Sequence, residues 1–405
     1  MERKVPVWLL GFANLPLGVT GGVALILTPQ VLAARHVPEP RIADITTLGL
    51  LAAFLFFPIA PLLDVRFSRR AYAVALSILT AALTAAAVLS LGNLDTLGVW
   101  LLLCLIGAQL NNAAIGGWFG SVIAKEEGAV LGAWMTVANV VGAGLTAAAG
   151  ILLVRAAPMA VAAAVLGGMN LLPLVVFALA HPPVEERRRL ADSFGRFARE
   201  LGALFRQPSV LRLLLLFALP CASFALTNTL GGLGADYHAS EQLVGAIFGV
   251  GIVFAGLAGS LAVPLLTRKG APVWVYIGVG TTGAAITLLN LVLPHTPAVF
   301  IWAAISQNVW QAAALALVSA IALQSIGKDN PMAATQFALL VGAATGPITY
   351  MQWLDGHAYG LGKLTALYLT DGGLGMLACV AMAAVFAWTR RRSQKMETPA
   401  LESAR

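Results

Sequence analysis

The chain has 405 residues, of which 59% are hydrophobic and only 11% charged, and its mean hydropathy is +0.85. That balance excludes an ordinary soluble globular domain and indicates a membrane protein. The net charge of +7 invites a nucleic-acid partner, but the basic residues are spaced along the chain in a way that reports membrane topology instead.

A helix needs about 20 apolar residues to cross the bilayer core. Twelve such runs are predicted, at 7–34, 45–63, 71–91, 97–124, 129–153, 157–180, 212–235, 241–266, 272–293, 297–326, 331–354 and 364–388. The expected fold is an all-α membrane protein with 12 transmembrane helices. A cleaved signal peptide is the rival reading of the opening "MERKVPVWLLGFANLPLGV". It is disfavoured because no A-x-A-like site follows and the apolar run continues to spanning length. Nearly all Lys and Arg fall in every second connection: "ERK", "DVRFSRR", "AKEEG", the stretch around "VEERRRLADSFGRFARELGALFRQ", "TRKG", "GKDN" and "TRRRSQK". The remaining connections carry only Arg35, Arg41, Arg155 and Lys363. This is the positive-inside pattern, and it places both termini and the long middle loop in the cytoplasm.

An internal repeat runs through these spans. "FANLPLGVTGG" is echoed by "FALPCASFALTNTLGG", "PLLDVRFSRR" by "PLLTRKG", "QLNNAA" by "NVWQAA", and "KEEG" by "KDNP", each about 200 residues later. The expectation is two parallel six-helix halves, residues 1–180 and 212–390, joined by a cytoplasmic linker at 181–211 and followed by a tail at 391–405. Such halves around a central site are described for major facilitator transporters. The linker's "LADSFGRFARELGALF" reads either as an amphipathic helix on the inner leaflet or as a solvated tether. After span 2, Asp64 with Arg66, Arg69 and Arg70 forms an acidic and basic cluster of the kind that latches helix ends at a cytoplasmic gate. The second copy keeps Arg268 and Lys269, but Thr267 replaces the acid. A solvated patch accounts for the arginines but leaves Asp64 unexplained.

Four stretches carry a closer resemblance: "LLGFANLPLGVTGG", "APLLD", "NNAAIGGW" and "ATQFALL". In order along the chain they resemble the major facilitator branch of AmpG-type muropeptide permeases, acetyl-coenzyme A transporters and some siderophore permeases. The resemblance implies a proton-driven symporter of a small amphipathic solute in a bacterial inner membrane, with no cofactor, acting as a monomer. A muropeptide is the first expectation and a siderophore the alternative. Span 4 departs from the AmpG pattern Asp-Ile-x-x-Asp-Ala-Trp, because Asn112 and Gly116 stand where the carboxylates are expected.

Polar residues inside spans are costly and therefore mark pathway candidates. Gln109, Asn112 and Gly116 share one face of span 4, and Gln307 and Gln311, with Asn308 beside them, form a counterpart in span 10. They read either as facing walls of a solute cavity or as hydrogen-bonding glue between helices. Trp118 is deep enough to line such a cavity. Asp371 lies about 12 Å along span 12 from Lys363. It reads either as a proton-coupling carboxylate or as an interfacial acid paired with Lys363 or Arg155. In span 11, Asn330 and Pro331 are expected as N-cap and first helical residue. Thr335, Thr345 and Thr349 then form a polar stripe toward the pathway, while Gln336 points elsewhere and bonds a neighbouring helix at the inner gate.

Other motifs carry little. "GVGTTG" matches a dinucleotide fingerprint letter for letter but lies within an apolar run without a βαβ context. The three cysteines lie in apolar spans and indicate neither disulfide nor metal site. All five histidines fall in or beside predicted loops, so no His/Glu or Cys/His set supports an intramembrane enzyme.

Overall fold

The computed structural model describes residues 5–56, 58–65, 67–180, 199, 202–327 and 330–402. Among these the chain is helical, without strands. Nine helices are long and apolar enough to cross a bilayer: α1 Val7–Ala34, α3 Arg69–Gly92, α4 Leu94–Val122, α5 Lys125–Ala156, α6 Met159–Leu179, α8 Glu241–Leu266, α9 Pro272–Leu289, α10 Pro297–Ser325 and α11 Ala333–Arg391. Two shorter apolar helices, α2 Asp44–Leu55 and α7 Pro208–Ala218, complete the order.

Local chemistry sets the boundaries. Ser68 caps α3 by accepting the Ala71 N–H at 3.1 Å. Thr296 caps α10 at Val299 N, with Pro297 as the first helical residue, where its missing N–H costs nothing. In α1, the backbone widens into a π-helix over Gly22–Leu27 just before Pro29, which has no N–H for a regular helical bond.

Two predicted spans prove discontinuous. The run predicted at 212–235 stops at Ala218 because Pro220 follows, and Leu219 before it is driven to an extended conformation at ψ 154°. The chain continues as short turns, Pro220–Ala222, Leu226–Thr229 and Leu230–Tyr237. Likewise α2 ends at Leu55, and a 3₁₀ turn, Ala60–Asp64, follows. The reverse holds at the loop expected between 354 and 364. Helix persists through it, and α11 is two arms meeting at Gly362 and Lys363, where Lys363 takes a φ of 52°. The second arm stays helical to Glu402. The predicted linker's residues 181–198, 200 and 201 lie outside the described residues, as does Arg66.

Three cores organise the packing. One crosses from the helices before residue 181 to those after 201 and includes Trp118, Phe177, Phe217, Tyr276 and Phe337. A second lies wholly in the earlier helices, around Leu27, Leu91 and Leu97, and a third wholly in the later ones, around Leu230, Phe300 and Tyr368. The earlier and later helices therefore share a core on the side of Asp64 and α11's start, and keep separate cores toward the other end. α5 packs against α8 and α10, and α4 against α11, across this junction.

Candidate functional site

Asp64 ends the 3₁₀ turn after α2, and its side chain is only 1% exposed. Its carboxylate accepts from Arg69 Nε at 3.0 Å and forms an ion pair with Arg69 Nη2 at 2.9 Å. It also accepts from Ala334 N at 3.1 Å, Thr335 N at 2.8 Å and Thr335 Oγ1 at 2.7 Å. Ala334 and Thr335 are the second and third residues of α11, so Asp64 does what an N-cap side chain does, from 270 residues away. Its charge also faces the positive end of the helix. Arg69, itself buried, reaches on to the carbonyls of Asn330 at 3.1 Å and Pro331 at 3.3 Å.

This joint changes the reading of α11's start. The helix begins at Ala333 rather than Pro331, and Asn330 instead forms a turn by accepting from Met332 N. Thr335, expected to begin a pathway stripe, commits both its hydroxyl and its amide to Asp64. Gln336 donates to Ser325 O at 3.1 Å and Ser325 Oγ at 2.9 Å, and accepts from Asn330 Nδ2, tying the turn to the end of α10. Arg70 is half-buried, while Arg268 and Lys269 are exposed at the end of α8. Thr267 bonds back to its own helix at Val263 O, so the second copy of the cluster lacks the carboxylate that makes the first a joint.

The seam beside the joint is closed by small residues. A side chain at Gly116 would strike the Phe337 ring, and one at Gly117 would strike Ala334. Gly120 lies against Ile326, and Gly132 against Ala316 and Ala320. The absent carboxylate at 116 has a packing reason: α4 and α11 are too close here to admit one. Trp118, expected to line a cavity, is instead fully buried between Phe119 and Phe177, with ring centroids 5.0 and 5.8 Å away.

A second polar region lies deeper in the later helices. Gln307 Nε2 donates to Thr287 Oγ1 at 2.7 Å, and Thr287 donates to Asp371 Oδ2 at 3.2 Å. Asp371 is buried, with 8% exposure, and forms no ion pair with Lys363 or Arg155 among the described residues. Gln311 Nε2 donates to Thr227 Oγ1 at 2.7 Å, while half-buried Asn308 bonds its own helix at Ala304 O. Thr345 and Thr349 also bond back to their own helix. On the α4 side, Gln109 is half-buried and Asn112 is buried with Oδ1 unpartnered. No hydrogen bond joins the α4 amides to those of α10 among the described residues. Sequence reasoning missed Asn111, which ties α4 to α3 through Ala73 O at 2.8 Å and Ser77 Oγ at 3.0 Å. It also missed Asp355, which is fully buried on α11.

Among the described residues the chain is thus an all-helical fold with a charged joint between two groups of helices and a buried polar interior. The sequence model of the Major Facilitator Superfamily matches residues 10–347, most of the chain, and the chain belongs to that superfamily. Its fold is similar to that of the fucose:proton symporter FucP of E. coli, with a TM-score of 0.71 at 14% identity, covering 94% of this chain and 99% of that one. It is also similar to a bacterial homologue of the iron transporter ferroportin in an outward-facing state, with a TM-score of 0.67 at 14% identity over 94% and 99% of the two chains. The proton:xylose symporter XylE gives a TM-score of 0.65 at 13% identity over 93% and 94%. No curated protein sequence matches the chain.

Proposed function

We propose that this transporter moves a small amphipathic organic solute across a bacterial inner membrane by alternating access, with a proton as the coupling ion. In this reading the broken segments and the two arms of α11 complete twelve spans in two six-helix halves, both termini are cytoplasmic, and the Asp64 joint closes the cytoplasmic side. The observation that carries the reading is that joint. It holds the two groups of helices together through one buried carboxylate on the start of α11, a contact that rocking of one half against the other would make and break. Gln109, Asn112, Asn308 and Gln311, with Thr345 and Thr349, are the proposed solute contacts, and Asp371 the proposed proton carrier. Amide groups that both donate and accept suit a peptide-like or polyhydroxylated solute such as a muropeptide. The test is uptake of a labelled anhydro-muropeptide into membrane vesicles with an imposed pH gradient. Gradient-dependent accumulation, absent from empty-vector vesicles, supports the reading. Uptake of a siderophore in its place would reassign the solute, and catalytic turnover without transport would overturn the reading.

A further inference from the structure

All three cysteines are free and buried, but two of them are neighbours. Cys221 lies on the turn Pro220–Ala222, where the run predicted at 212–235 breaks, and Cys379 lies on the second arm of α11. The Cys379 thiol donates to the carbonyl oxygen of Cys221 itself at 2.9 Å, across 158 residues of chain. The break frees that carbonyl. In a continuous helix it would accept the amide four residues on, whereas here Ser223 and Phe224 leave the helical path, Phe224 at a φ of 49°. α9 makes room for the approach, because a side chain at Gly280 would strike Cys221 O and would stand 3.0 Å from Cys379 Sγ.

Cys221 also borders a cavity of about 20 Å³ that reaches Ser223, Thr287, Gln307 and Asp371, and Cys379 does not border it. The space admits one small polar molecule of about the size of water. A bulky disulfide such as oxidised glutathione does not fit, but hydrogen peroxide does. Cys104 is placed differently. Its thiol bonds its own helix at Leu101 O, within the core of the earlier helices, and no other cysteine belongs to that core.

We propose that Cys221 and Cys379 form an oxidation site for hydrogen peroxide, in which Cys221 reacts first and Cys379 closes a disulfide. The proposal goes beyond the transport reading and does not depend on it. In the first step the Cys221 sulfur attacks one peroxide oxygen. The O–O bond breaks, an S–O bond forms, and the thiol proton leaves with the second oxygen as water. In the second step the Cys379 sulfur attacks that sulfenic acid. The S–O bond breaks, an S–S bond forms, and the second thiol proton leaves in a second water. Two electrons pass from the sulfur pair to the peroxide. Adjacency of the second thiol, rather than exposure of the first, commits the pair to a disulfide. The new bond fastens the break to the second arm of α11.

The test treats the full chain in lipid nanodiscs with hydrogen peroxide, removes the peroxide with catalase, and counts thiols by maleimide labelling after denaturation. The wild type should lose two of its three thiols, remain a single chain by intact mass, and regain both with dithiothreitol. Cys104→Ser should lose two as well. Cys379→Ser should form no disulfide and should instead give a dimedone adduct on Cys221, the mark of a trapped sulfenic acid. Cys221→Ser should give neither product. Three thiols remaining in the wild type, or a disulfide that includes Cys104, would overturn the proposal. A dimedone adduct on Cys379 in Cys221→Ser would overturn the assignment of Cys221 as the first to react.

Discussion

Asp64→Asn is the sharpest perturbation of the joint, because it keeps the shape and one acceptor while removing the charge. Three of the five contacts to the carboxylate come from α11, and the other two from Arg69, which is buried. Breaking a buried ion pair by removing one partner costs about 3–5 kcal/mol. The retained amide oxygen recovers part of that, so a weakening of about 3 kcal/mol is expected, or roughly 10²-fold in the equilibrium between joined and parted states. Hydrogen exchange measures it directly. The first amides of a helix have no acceptor within the helix, so the protection of Ala334 and Thr335 reports the bond to Asp64 and little else. In nanodiscs their exchange should accelerate roughly 10²-fold in Asp64→Asn, while amides in the middle of α3 stay unchanged. An acceleration below about tenfold, equivalent to about 1.4 kcal/mol, would refute the claim that this carboxylate holds the two groups of helices together.

Two further substitutions probe the same end of the molecule. Gly116→Asp should push α4 away from the Phe337 ring, at about 1–3 kcal/mol for the overpacking alone. Thermal unfolding should register the loss, and Phe337→Ala in the same chain should recover part of it; no recovery would mean the ring is not the obstacle. Gln336→Leu removes the bonds to Ser325 and Asn330 and should lower stability by about 1–3 kcal/mol. It should slow turnover without changing solute preference, measured as competition between solutes at matched uptake, and an altered preference would place Gln336 in the pathway instead.

The membrane class, the helical fold and the Asp64–Arg69 pair were legible because each is written locally, in runs of apolar residues and in the spacing of charges. What Asp64 reaches was not legible. Two of its three bonds on α11 come from backbone amides some 270 residues away, which no side-chain pattern announces, and the third from the Thr335 hydroxyl. Asp355 was hidden for a different reason. Hydropathy drops at "DGHAYGLGK", which suggests a loop, whereas the inward positions Pro347, Met351, Asp355 and Ala358 continue the period of a helix across it. Trp118 shows the opposite limit. Its depth along α4 follows from counting residues, but the face it occupies depends on Phe119 and Phe177, and packing partners are not given by depth.

Because Asp64 grips α11 largely through peptide N–H groups, the joint has an unusual mutational grammar. Any residue at 334 supplies the same N–H, so side-chain replacement there leaves that bond available, and only proline deletes it. Among relatives that share this joint, what limits position 334 is the close approach of Gly117 and not the bond to Asp64, so changes there should track 117 and not 64. A search for residues that vary together with Asp64 should find Arg69 and, through its hydroxyl, Thr335, but be blind to the rest of the contact.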